Sequence, residues 1–254
     1  MIHKKILISI LLLFFTVPSL LAQQARFDSA NRLLEENEFE EAIHLYQSIA
    51  DDGYKSGALW LNMGVAYTQL DSLGIAKYYL LKAKQFNETS ELADEALLYV
   101  NNQFSRQSAV LPPLPWNQFF QFLFVTFGVN ALVMTALLFF YAGVGLLIWS
   151  WFRVDFKKGL RSVSYICFGA MTILVLFSSI ISYQNSRYST AVLVDRQSEV
   201  REQPNETSAI ITTAYEGYGM RVDHKTGADS PEWNYVRLEN GMYGWVKSEG
   251  LKVL

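Results

Sequence analysis

Two uncharged apolar runs constrain this chain more than any other feature: residues 119–152 and 162–182 contain no Asp, Glu, Lys or Arg. In hydrocarbon every backbone N–H and C=O must be bonded within the protein, so spanning segments are helices or strands of closed barrels. Runs of 34 and 21 residues have the length of helices, not of barrel strands. As one straight helix the first would extend roughly 51 Å, against a hydrocarbon core about 30 Å thick. A membrane span is therefore expected near 129–151, with residues 116–127 forming a helix at or rising from the outer interface. Trp116 on one side, and Trp149 and Trp151 on the other, suit indole anchoring at the two headgroup levels.

Charge orients the pair. The segment 153–161 carries Arg153, Lys157, Lys158 and Arg161 against Asp155, whereas residues 23–118 and 183–254 have net charges of -6 and -2. Short basic loops stay on the cytoplasmic side, so 153–161 is expected inside and both flanking regions outside. The N-terminus agrees: Lys4 and Lys5, an apolar run over 6–15, then Pro18, Ser19 and Ala22 have the layout of a signal peptide over 1–22. An uncleaved anchor would export the same residues. Asn130 reads either as an interfacial position or as a hydrogen-bonding contact between helices. Ala131, Thr135, Ala142, Gly143, Gly145, Gly169, Ala170, Ser178 and Ser182 are small enough for close helix contact.

Residues 23–110 read as helical. Ala42 and Ala76 lie 34 residues apart, as do Tyr46 and Leu80. A 34-residue period with Trp60, Met63, Gly64, Tyr67, Ala76, Leu80 and Ala83 in the second copy resembles the tetratricopeptide repeat. The copies cover 23–56 and 57–90, the first clearest at Phe39, Ala42, Ile43, Tyr46 and Ile49; Glu88 stands where that family has proline. Leu92, Ala96, Tyr99 and Val100 mark an amphipathic capping helix over 91–103. The resemblance implies a peptide-binding concave face, and it places Asn31, Glu35, Asn62, Val65 and Gln69 there. Three prolines within 112–115 make 111–118 a stiff spacer.

From residue 190 short apolar strands alternate with glycine and charged turns, with candidates at 191–194, 209–213, 220–222, 235–238 and 244–246. Strands of this length and spacing suggest a small β-barrel. Val200-Arg201-Glu202, Glu216-Gly217, Trp233-Asn234-Tyr235-Val236-Arg237-Leu238, Asn240-Gly241 and Gly244-Trp245-Val246 before Leu251 together resemble the bacterial SH3-like domain, over 190–254. Trp233 and Trp245 are expected to pack across the barrel; the alternative is an exposed groove with Tyr218, Trp233, Tyr243 and Trp245 at its rim. Domains of that family often bind peptides, including those of the cell wall.

No reaction is expected, and no cofactor or metal. His3, His44 and His224 have no partners at metal or triad spacing, and the one cysteine, Cys167, lies in an apolar run. A net charge of -3 gives no general attraction to nucleic acid. The order signal, tetratricopeptide unit, two-helix hairpin and SH3-like barrel is similar to the BatE-type proteins of the Bacteroides aerotolerance group. That resemblance implies a non-enzymatic scaffold in the bacterial inner membrane, its soluble modules periplasmic. The implied partners are von Willebrand A-type Bat proteins and, indirectly, a MoxR-type ATPase, in a complex linked to oxidative-stress tolerance. The rival reading is a sensor that binds peptidoglycan through its SH3-like domain.

Overall fold

The computed structural model describes residues 23–106, 109, 111–112, 115–152 and 155–254, with 115–127 by backbone alone; the expected signal segment and Arg153 lie outside these. The chain divides into two compact units, one built from the segments on either side of the apolar runs and the other from residues 110–189.

The first unit begins with five helices: α1 over residues 23–35, α2 Phe39–Asp51, α3 Gly57–Gln69, α4 Leu73–Ala83 and α5 Ser90–Gln103. The 34-residue period reappears in their packing. Ala42 and Ala76 are fully buried, and so are Tyr46 and Leu80. It reappears in the turns as well. Asn37 and Asp71 both adopt left-handed backbone, with φ of 65° and 57°. Asn and Asp are the non-glycine residues that tolerate this region best. Glu38 N donates to Leu33 O and Ser72 N donates to Tyr67 O, a six-residue closure that ends α1 and α3 in the same way. A Cβ on Gly64 would lie 2.6 Å from a methyl of Leu80, so glycine sets the closeness of α3 to α4. Trp60, Tyr67 and Tyr79 stack beside that contact.

Helix α5 bears out part of its expected stripe: Val100 is buried and Ala96 half-buried, whereas Leu92 and Tyr99 are 55% and 59% exposed, and Ala93 and Leu97 complete the buried side. An apolar residue one position off the buried stripe is rotated about 100° away from it.

The C-terminal part of this unit is one antiparallel sheet of seven strands: β1 Tyr188–Leu193, β2 Gln197–Arg201, β3 Ile210–Tyr215, β4 Gly219–Asp223, β5 Trp233–Leu238, β6 Tyr243–Lys247 and β7 Leu251–Val253. Their order is β3-β2-β6-β5-β4-β1-β7. The five expected strands are present, joined by β2 and β7. Strand β2 contributes only Val200 to the core, so its sequence shows no apolar alternation. The core gathers Leu193, Val200, Met220, Val222, Val236, Leu238 and Val246.

Helices and sheet meet at a seam. Gly74 N, in the first turn of α4, donates to Glu216 Oε1 at 2.7 Å, and Lys77 Nζ donates to Gly217 O at 2.7 Å. Ser72 at the α4 N-cap makes no side-chain cap bond. Glu216 thus satisfies an N-terminal amide of a helix 142 residues earlier, with its charge at the favourable end of the helix dipole. Gly217 has φ of 80°, and a Cβ there would lie 2.2 Å from the Phe104 ring. The Arg106 guanidinium sits 4.3 Å above the Tyr215 ring.

The second unit pairs α6 Pro115–Phe152 with α7 Lys157–Arg187; α6 is interrupted at Gly128, where φ is 66° and ψ 162°. The two helices long and apolar enough to cross a membrane are Gly128–Phe152 and Lys157–Arg187, with mean hydropathies of 2.3 and 2.0. They pack through small side chains. Ala136, Gly143, Ser150, Ser164 and Ser178 are buried, and Ser164 Oγ donates to Gly143 O at 2.7 Å. Leu138, Ile166 and Phe152 are 69–77% exposed. Of the small residues expected at this contact, Gly143 and Ser178 are buried, while Ala131, Thr135, Ala142, Gly145, Gly169 and Ser182 face outward. Asn130 is exposed, as are Trp149 and Trp151; the Trp116 side chain lies outside the described residues.

Gly217→Ala should loosen the seam. It forces a left-handed alanine, costing roughly 1–2 kcal/mol, and moves the Phe104 ring. Thermal unfolding of the first unit should then begin at lower temperature, with faster proteolysis between the helices and the sheet. An unchanged melting curve would show that the seam contributes nothing to stability.

Candidate functional site

The five residues expected on the repeat groove divide by what they touch. Asn31 Oδ1 accepts from Tyr46 OH at 2.7 Å and from Asn62 Nδ2 at 2.9 Å, and Asn62 Nδ2 also reaches Tyr46 OH at 3.3 Å. This network ties α1, α2 and α3 together across their shared face. Asn31 Oδ1 is saturated by two donors, which leaves the Asn31 NH2 and the Asn62 carbonyl for other partners. An amide NH2 beside a carbonyl matches a peptide group. Glu35 lies one turn beyond Asn31 on α1, while Val65 and Gln69 follow Asn62 on α3 at helical spacing. Glu35 and Gln69 are exposed and Val65 is half-buried. Tyr46, which the motif places in the core, is the group that the groove expectation overlooked. Its ring is fully buried, yet its hydroxyl holds both asparagines.

Burial pushes the Tyr46 hydroxyl up to about 12, with the Asn62 hydrogen bond acting in the opposite direction and the Glu35 charge adding to the rise. Burial likewise raises Tyr67 and Tyr79.

The expected aromatic rim of the sheet is split between two places. Tyr243 is 50% exposed and stacks on Tyr235 at 6.2 Å, and Tyr235 meets Trp245 edge-on at 5.2 Å. Cross-strand register makes this one patch, because Tyr235 pairs with Trp245 and Arg237 with Tyr243. The Arg237 guanidinium lies 5.4 Å from the Tyr243 ring. Tyr218 lies elsewhere, packed against the core of the sheet and edge-on to Tyr215 at 5.8 Å. Trp233 is buried and Trp245 half-buried, and neither belongs to the cluster around Val236 and Val246. Strand alternation puts Val236 and Val246 inward and both tryptophans on the opposite faces of β5 and β6. Trp233 is nonetheless only 8% exposed, with Lys247 Nζ 5.9 Å from its ring. Tyr235 was legible as a member of this patch, since it stands at period two from Trp233 and Arg237.

Among the described residues no group of three or more His, Cys, Asp or Glu is arranged to hold a metal ion.

Tyr46→Phe should act at two pH values. Near neutrality, removing the hydroxyl leaves Asn31 and Asn62 short of a partner and costs about 1 kcal/mol. At alkaline pH the sign reverses in the variant's favour. The folded-state value lies above the unfolded value of about 10, so this stabilising contribution is complete below pH about 10 and is lost as pH rises through about 12. Chemical denaturation at pH 7, 10 and 11.5 should show a shallower alkaline loss in the variant. Parallel curves would contradict the network. The chain matches no protein-family model and no curated protein.

Proposed function

We propose that this chain is a non-enzymatic scaffold held in a bacterial cytoplasmic membrane by the helix pair α6 and α7. On this reading a tetratricopeptide module and a bacterial SH3-like barrel are both presented on the periplasmic side. The observation that carries the reading is the seam. Residues before and after the apolar helices belong to one compact unit, tied by Gly74 to Glu216 and by Lys77 to Gly217. A chain that leaves a surface through one spanning helix and must return to that surface needs an even number of crossings, and two suffice. The basic Lys157 and Lys158 then fall at the cytoplasmic turn, in agreement with charge bias. Their position supports this further. Cations in the first turn of a helix oppose its dipole, so retention by the membrane is a better reason for them than helix stability.

The repeated turns at Asn37 and Asp71, together with the Asn31–Tyr46–Asn62 face, support a peptide-binding repeat. The partners that fit are other envelope proteins. The resemblance to BatE-type proteins points to von Willebrand A-type Bat proteins, with a MoxR-type ATPase reached indirectly and a role in oxidative-stress tolerance. A second reading draws on the patch of exposed Tyr243 with half-buried Tyr235 and Trp245, which suits stacking on cell-wall material.

Crosslinking in membranes followed by mild-detergent purification should recover a complex. The double variant Asn31→Ala with Asn62→Ala should reduce the recovered partner about fivefold, the scale of one or two hydrogen bonds. Recovery of the chain alone would sink the scaffold reading. Sedimentation with isolated cell wall, abolished by Trp245→Ala, would favour the second reading instead. Topology is checked by single cysteines in a Cys167→Ser background. Asn87→Cys and Asn205→Cys should both label from outside, and Lys158→Cys should not.

A further inference from the structure

A cleft of about 380 Å³ opens along the seam, lined among others by Asp71, Gln103, Arg106, Arg196, Tyr215 and Glu216. Its charges are unequal in their commitments. Glu216 is engaged with the α4 amide. Among the described residues neither Arg106 nor Arg196 forms a salt bridge, although residues 23–118 and 183–254 are both net acidic. Arg106 lies over the Tyr215 ring, an arrangement that orients a guanidinium and leaves its edge N–H groups free to take a carboxylate in bidentate fashion.

The cleft also adjoins the end of a strand edge. Tyr215 is the last residue of β3, and β3 is the terminal strand of the sheet, with β2 on one side only. A terminal strand carries backbone N–H and C=O groups able to accept a further strand. Ile210 and Ile211, at the start of β3, are 51% and 41% exposed. Apolar contacts, a strand edge and two uncommitted guanidinium groups thus follow one another from Ile210 to Arg106. A small inorganic anion would use only the last of these.

We propose that this face binds an extended peptide segment, paired along the free edge of β3, whose acidic side chain or terminal carboxylate is held in the cleft by Arg106 and Arg196. Asp71 and Gln103 offer acceptors for the peptide N–H groups that enter with it. The site is separate from the repeat groove and from the Tyr235 patch, so it stands or falls independently of the scaffold reading.

The test uses the full chain in detergent and a fluorescein-labelled peptide of alternating Val and Thr ending in two Glu, read by anisotropy. Binding is expected to weaken about tenfold with Arg106→Gln, with Arg196→Gln and with the same peptide ending in two Gln, the scale of a charge-assisted hydrogen bond. N-methylation of alternate peptide amides should abolish it. Arg196→Lys should fall between the wild type and Arg196→Gln, which separates loss of charge from loss of fold, and the melting temperature of each variant confirms folding. Equal affinity for the Glu and Gln peptides, or no change on either Arg→Gln substitution, overturns the proposal. So does competition by free glutarate as effective as by the unlabelled peptide, since that makes the cleft a small-carboxylate site. Arginine-dependent binding to anionic lipid vesicles, with no binding of the peptide, overturns it as well.

Discussion

One carboxylate and one carbonyl, both near a tight turn of the sheet, join the helices and the sheet of the first unit. Glu216 and Gly217 bond to α4 from the far end of the chain, and Gly217 can present its carbonyl because it is free to adopt φ of 80° against the Phe104 ring. The Lys77 ammonium pays for its half-buried position. Burial lowers its pKa, and the charge of Glu239 acts in the opposite direction. Glu239 is the mirror case, raised by burial and lowered by Lys77. Lys77 is held by the Gly217 carbonyl, so truncating it would leave that oxygen without its donor. That dependence makes the seam specific to this arrangement of helices and sheet.

The helix pair follows a different rule. In a water-soluble bundle the large apolar side chains lie between helices; in α6 and α7 many of them lie outside, while Ala136, Gly143, Ser164 and Ser178 are buried together with Leu132. Without water to expel, hydrophobicity does not discriminate inside from outside, and close packing and the Ser164 hydrogen bond take over. The link between the helices spans only residues 153–156. On the proposed topology this leaves little cytoplasmic surface. The Asn31–Tyr46–Asn62 face and the aromatic patch meanwhile belong to the same compact unit.

Much of this was legible in the sequence because it depends on period and composition. Uncharged runs declared the long helices, and the glycine and tryptophan pattern after residue 230 declared the β5–β6 hairpin. The 34-residue period declared the helix pairs. A second copy of that signal, Asn37 and Asp71 at the same spacing, was available and marks the turns more directly than the alanines do. Strand β2 was not legible, since Gln197-Ser198-Glu199-Val200-Arg201 buries a single large side chain and owes its place to pairing with β3. Part of the buried side of α5 was equally hidden. Leu92 and Tyr99 are as apolar as Leu97 and Val100, and only the position of α4 chooses between the two faces.

By itself, then, the sequence determined the elements: two long apolar helices, a repeated helix pair, a strand-rich C-terminal segment and the charges that flank them. These follow from local periodicity, solvent transfer and turn chemistry, all of which act over a few residues. Tertiary structure alone decided that Glu216 meets Gly74 across 142 positions, and that Arg106 and Arg196 come to line one cleft. It also decided that the aromatic rim divides into the patch around Tyr243, a buried Trp233 and a core-packed Tyr218. Contacts so distant along the chain leave no periodic trace in it, because each needs only one residue of the right chemistry at each end.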